Sequence, residues 1–91
     1  MSKIVKKASC GNEAQNADCV VTIEPSKKKG ITFELTSLVA GQFGKQIEES
    51  TYDELKKYGI TDAKVSIVDR GAIDPVLRAR LEAAIKRGMG D

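Results

Sequence analysis

The sequence predicts an α+β fold: a two-layer sandwich in which a small, mostly antiparallel sheet is covered by two helices. The element order is β-β-α-β-α, with room for an extra N-terminal strand. Three observations predict it. Residues 19–24, 31–36 and 63–67 are β-branched or alternate apolar and polar at a period of two, as half-buried strands do. Residues 43–58 and 77–85 instead space their apolar side chains by three and four, which builds one face of a helix. Glycine, proline and acidic residues mark the joints.

In chain order, residues 2–8 mix Ile4 and Val5 with lysines and suit a short edge strand. Residues 11–18, GNEAQNAD, are polar and read as a loop. CVVTIE at 19–24 has strand length and composition and stops at Pro25. After SKKKG, Ile31, Phe33 and Leu35 alternate with Thr32, Glu34 and Thr36. The connection Pro25–Gly30 predicts that these two strands pair as an antiparallel hairpin.

Val39, Phe43, Ile47, Thr51, Leu55 and Tyr58 then line one face of a helix ended by Gly59. Gly41 and Gly44 cost its first turns about 1 kcal/mol each relative to alanine, so regular helix is expected from near Lys45. Ala63, Val65 and Ile67 alternate with Lys64 and Ser66 as the next strand; Val68 breaks the alternation, which predicts cover on both faces there. In the last helix Asp74 is placed to cap, Pro75 takes the first position and Gly88 is the expected stop. Leu77, Leu81, Ala84 and Ile85 form its apolar stripe, with Arg78, Arg80, Lys86 and Arg87 off it.

The 91 residues suit one domain, 1–91, whose core must be aliphatic because only Phe33, Phe43, Tyr52 and Tyr58 are aromatic. The absence of histidine excludes His triads, His metal sites and His acid–base chemistry. A net charge of +2 falls short of the footprint of a dedicated nucleic-acid binder. No apolar run reaches the length of a membrane span, and the basic start is not followed by an apolar signal region, so the chain reads as cytoplasmic. Cys10 and Cys19 form no CxxC pair and read as free thiols at strand ends.

Independent catalysis is not expected. Glu48, Glu49, Asp53 and Glu54 alternate with the apolar stripe and face water, where no pocket raises a carboxyl pKa. An alternative is a small RNA-binding module, since Gly41–Gly44 has the GxxG spacing of KH loops and lysines lie nearby. Against it, Gln42–Phe43 is not basic, and Phe43 fits the buried stripe. Lys27, Lys28 and Lys29 read as a solvated hairpin tip or, alternatively, a run that meets nucleic acid or phosphate. Arg78 and Glu82 are spaced for a surface pair; Arg80 and Arg87 share a face, while Arg78 and Arg80 diverge by about 200°.

One segment is specific. GAIDPVLRARLEA at Gly71–Ala83 resembles the C-terminal signature of the citrate lyase acyl carrier protein (gamma chain) family. IVKKAS at Ile4–Ser9 followed by Gly11, TIEP at Thr22–Pro25 and QFG at Gln42–Gly44 match it in the same order, so the resemblance spans nearly the whole chain. It implies a non-catalytic cytoplasmic subunit carrying a covalent prosthetic group, 2'-(5''-triphosphoribosyl)-3'-dephospho-CoA, on a serine through a phosphodiester, which makes it a phosphoprotein. The thiol of that arm would hold acetyl and then citryl groups for the citrate lyase alpha and beta subunits, after loading by a prosthetic-group transferase. Neither a membrane nor nucleic acid is an expected partner. Within the docking block, Asp74, Arg78 and Arg80 are the residues implied to meet partners.

The family places its attachment serine in a loop of the form GTLES, then Ser or Gly, then Asp, ahead of the strand that here begins at Cys19. The corresponding loop is Gly11–Asp18, and anchoring it on Asp18 sets Asn16 at the attachment position with Ala17 beside it. Neither supplies the hydroxyl oxygen that the linkage needs. Ser9 is the nearest hydroxyl on that side. An arm on another hydroxyl, an unmodified docking paralogue and an unmodifiable form remain open.

Overall fold

The computed structural model describes residues 3–12, 17–37 and 40–90. Strands β1 (Ala8–Gly11), β2 (Cys19–Glu24), β3 (Ile31–Ser37) and β4 (Ala63–Asp69) form one sheet in the order β1-β2-β4-β3. Helices α1 (Ala40–Lys57) and α2 (Asp74–Gly88) pack side by side on one face of it. β2 pairs antiparallel with β1 and β4, whereas β3 runs parallel to β4, so the sheet is mixed with antiparallel pairs in the majority. This is the expected two-layer α+β fold. The extra N-terminal strand exists, but at Ala8–Gly11 rather than within 2–8.

The expected β2–β3 hairpin does not form, because β4 lies between the two strands. Burial explains the order. The inward row of β4 (Ala63, Val65, Ile67 and Asp69) is at most 3% exposed and takes the centre. β3 leaves Thr32, Glu34 and Thr36 in water and takes the edge. α1 supplies the long crossover that a parallel pair requires. The Pro25–Gly30 link spans one intervening strand, a step of about 10 Å, as readily as it would close a hairpin. Val68 is half-buried in a cross-strand row with Val20 and Thr36, on the face away from the helices, so its cover comes from sheet neighbours.

The core is aliphatic. Val21, Ile23, Val65 and Ile67 of the sheet meet Ile47 and Leu55 of α1 and Leu77, Leu81, Ala84 and Ile85 of α2. α1 starts at Ala40, five residues before the expected start, since packing of its apolar face overrides the modest propensity cost of its glycines. Gly59, at φ +71, ends it as expected. α2 ends at Gly88, as expected, but Gly88 keeps helical backbone and is buried rather than turning left-handed, and its carbonyl accepts the Val5 and Lys6 N–H groups at 2.8 and 3.2 Å. That contact lays the N-terminal segment on the helix end and drives Ile4 into the core.

Candidate functional site

The polar loop after β1 is held rigidly at its described ends. Gly11 turns the chain at φ +130, and a Cβ there would collide with the Cys19 carbonyl oxygen, so only glycine fits. Ala17 takes φ +61, a left-handed conformation uncommon outside glycine. Its N–H donates to the Arg70 carbonyl at 2.9 Å, and the Arg70 N–H donates to the Asp18 carbonyl at 2.9 Å. These two bonds fasten the loop to the turn after β4. Asn16, the expected attachment position, lies outside the described residues.

Asp18 anchors the same end from its side chain. Its carboxylate is nearly buried and accepts Arg80 at both oxygens, Nε to Oδ1 at 3.0 Å and Nη2 to Oδ2 at 2.9 Å. The Cys19 N–H adds a bond to Oδ1 at 2.7 Å. The guanidinium, and after it that N–H, hold the Asp18 carboxyl below the usual carboxylate range. Arg87, seven residues on, donates from Nη1 to the Ser9 carbonyl at 2.9 Å. One flank of α2 is thereby tied to β1 and to the loop. Ser9 itself is exposed, alternating with half-buried Ala8 and Cys10. Both cysteines are free; burial first, then Asp18 and Asp69, push the Cys19 thiol up to about 11.

The opposite flank of α2 is tied to α1 through Arg78. Its guanidinium reaches Asp74 (2.7 Å), Glu54 (3.0 Å) and Asp53 (3.3 Å). Glu54 is therefore buried rather than facing water, and Arg78 pairs across the helices rather than with Glu82. Glu82 instead accepts the Tyr58 hydroxyl at 2.6 Å, which pushes that phenol up to about 12, and pairs with Lys86. Asp74 does not cap α2. Ile73 occupies the cap without a side-chain bond, and Asp74 begins the helix with its carboxylate accepting Ser50 Oγ at 2.5 Å and Arg78 Nε. Those two donors, Ser50 first, hold the Asp74 carboxyl low. Asp74, Arg78 and Arg80 each keep roughly a third of the side chain exposed, at 32%, 37% and 37%.

Between the starts of α1 and α2 lies a largely apolar cleft of about 440 Å³, lined by Phe43, Ile47, Ala72, Ile73 and Leu77 among others. Phe43 is on the expected stripe but beyond the end of the core, 48% exposed, and Ile73 is 65% exposed. Gly41–Gly44 is the opening of α1, not a loop between elements, so it does not provide the backbone clamp of the RNA-binding alternative. Among the described residues no helix is long and apolar enough to cross a membrane.

The expected residues thus fall into two groups on opposite flanks of α2: Arg80 beside the loop, Asp74 and Arg78 beside α1. Asp18, Glu54 and Asp69 were not legible as site residues. Asp69 is buried, accepts Ser37 Oγ and the Ala72 N–H, and shapes the turn that grips the loop. The available signal for Asp18 was its place directly before an apolar strand.

Comparison with known proteins places these features in a family. Residues 5–88 match the family model described as ACP, malonate decarboxylase delta subunit. The chain is 36% identical over 84 residues to the citrate lyase acyl carrier protein of Fusobacterium nucleatum, covering 92% of this chain and 89% of that one. It is 41% identical over 85 residues to that of Weissella paramesenteroides (93% and 87% covered) and 44% to citrate lyase acyl carrier protein 2 of Salmonella typhimurium, with the same coverage. Among solved structures, a chain of a Pseudomonas malonate decarboxylase hetero-tetramer superposes with a TM-score of 0.64 at 23% identity, over 90% of this chain and 82% of that one.

Proposed function

Because this chain belongs to the acyl carrier protein family of citrate lyase and malonate decarboxylase, we propose that it is the non-catalytic carrier subunit of a cytoplasmic citrate lyase complex. The single domain 1–91 would dock with the alpha and beta subunits and with a prosthetic-group transferase. The observation that carries the reading is the pinned loop: Gly11, Ala17 and Asp18 hold it at one end of the sheet through Arg70 and Arg80. A carrier needs such a base, because an arm sweeps a defined volume only if its root is fixed.

Chemically, the loop does not fit the family's group at its usual place, since GNEAQNAD contains neither serine nor threonine. Asn16 cannot form the phosphodiester. Ser9, exposed on the edge strand with its carbonyl held by Arg87, is the nearest hydroxyl on the N-terminal side of the loop able to take 2'-(5''-triphosphoribosyl)-3'-dephospho-CoA. When attached, that group supplies the thiol that bears acetyl and citryl thioesters. The chain's own residues position and dock. Arg80 and Asp18 fix the loop, while Asp74 and Arg78 keep the start of α2 against α1 and leave Phe43 and Ile73 open to a partner.

The test is the intact mass of the chain purified from its own host, with peptide mapping of residues 1–25 and a check for co-purifying lyase subunits. Added mass on Ser9, with those subunits present, establishes a carrier. Unmodified mass with the subunits present reduces the role to docking. Absence of the subunits while the host expresses them overturns both.

A further inference from the structure

The lysine run has no place in the carrier reading, and the fold gives it different surroundings from those of a hairpin tip. On its way from β2 to β3 the link Pro25–Gly30 passes the end of β4 and faces the turn that follows α1. Lys27, Lys28 and Lys29 thereby line a concave surface of about 670 Å³ together with Lys3, Ser26 and Thr61. Asp62 supplies the one carboxylate in that lining, and it is committed to the wall. Its Oδ1 accepts the Gly30 N–H at 2.5 Å and its Oδ2 the Thr61 hydroxyl at 3.1 Å. None of the four lysines forms a salt bridge among the described residues.

We propose that this cleft binds a small molecule bearing two or more phosphate groups. Four lysines line one concavity against a single carboxylate, which leaves a local excess of positive charge. Lysines meet phosphate as mobile point charges, without the fixed geometry of an arginine fork. The volume is that of a small-ligand cleft. None of its lining residues is aromatic, so it lacks the stacking platform on which single-stranded nucleic acid relies. The inference does not rest on the carrier reading, because the unmodified chain suffices.

Titration of the full chain with inorganic tripolyphosphate, followed by two-dimensional amide NMR, tests it. The expected result is saturable, one-to-one binding with shifts confined to residues 3, 26–30 and 59–62. Orthophosphate should bind about tenfold more weakly, and the variant carrying Lys27→Gln, Lys28→Gln and Lys29→Gln should lose about tenfold or more in tripolyphosphate affinity. These side chains are exposed, so the variant's amide spectrum reports directly that the fold persists. Shifts that never saturate and spread to Lys6, Lys7, Lys45, Lys56 and Lys57 would overturn the proposal as a diffuse counter-ion effect. Tighter binding of an oligouridylate or of polyglutamate than of tripolyphosphate would overturn it in favour of a macromolecular partner.

Discussion

A carboxylate clasped by a guanidinium and a backbone N–H gives up its proton more easily than it would in the unfolded chain, and at Asp18 that shift has a testable sign. The folded pKa lies below the unfolded one, so the stabilisation is complete above about pH 5, declines as the unfolded carboxyl begins to protonate, and is lost as pH falls through the folded value. Asp62, Asp74 and Glu82 are shifted the same way and add to acid sensitivity. We expect Asp18→Asn to lower the urea midpoint at pH 7, and the gap from wild type to narrow towards about pH 2 as the folded carboxyl takes up its proton. A gap equal at both pH values would show that the charge of Asp18 is not what matters. The buried Cys19 gives a second outcome. With its thiol pushed up to about 11, it should resist a disulfide-exchange reagent at pH 8 in the folded protein and react after unfolding. Reaction of two thiols in the native state would contradict the burial.

At the scale of elements, α2 is held on three sides, and its buried glycine records how closely. A Cβ on Gly88 would stand 3.1 Å from Ile23 Cγ2 and 3.3 Å from Ile4, both of which are core side chains. Alanine normally gains about 1 kcal/mol over glycine inside a helix. Overpacking against two buried isoleucines costs about 1–3 kcal/mol and wins. Gly88→Ala should therefore destabilise by about 1 kcal/mol net in denaturant titrations; a gain in stability would mean that Ile4 yields freely. The helix itself was legible, because Leu77, Leu81, Ala84 and Ile85 repeat at helical spacing and all four are buried. Its flanks were legible only as directions. That Arg78 and Arg80 diverge follows from helix geometry, but that they meet Glu54 and Asp18 depends on partners 24 and 62 residues away. Strand pairing failed for a related reason. A local link specifies that β2 and β3 run in opposite directions, whereas which strand fills the centre is decided by relative burial across the whole sheet.

Across the whole molecule, the two proposed sites lie at opposite ends of the sheet. The Gly11–Asp18 loop precedes β2 and the lysine link follows it, so the six residues of that strand set them about 20 Å apart. That separation lets the loop end be tested alone. If the Gly11–Asp18 loop retains the geometry that a loading enzyme reads, the missing element is one hydroxyl. Asn16→Ser supplies it and leaves Gly11, Asp18, Arg70 and Arg80 as they stand in the sequence. Co-expressed with a citrate lyase prosthetic-group transferase and a source of its substrate, the Asn16→Ser chain should gain the mass of the phosphoribosyl dephospho-CoA group at residue 16. Adding Arg80→Leu should then lower the extent of loading while circular dichroism shows the fold intact, because the loop loses its bidentate anchor. Full loading of that double variant would show that the transferase recognises sequence rather than the held loop. No loading of Asn16→Ser alone, with a native carrier loaded in parallel, would show that the loop has diverged in shape as well as in chemistry, and would leave Ser9 as the place where an arm has to be sought.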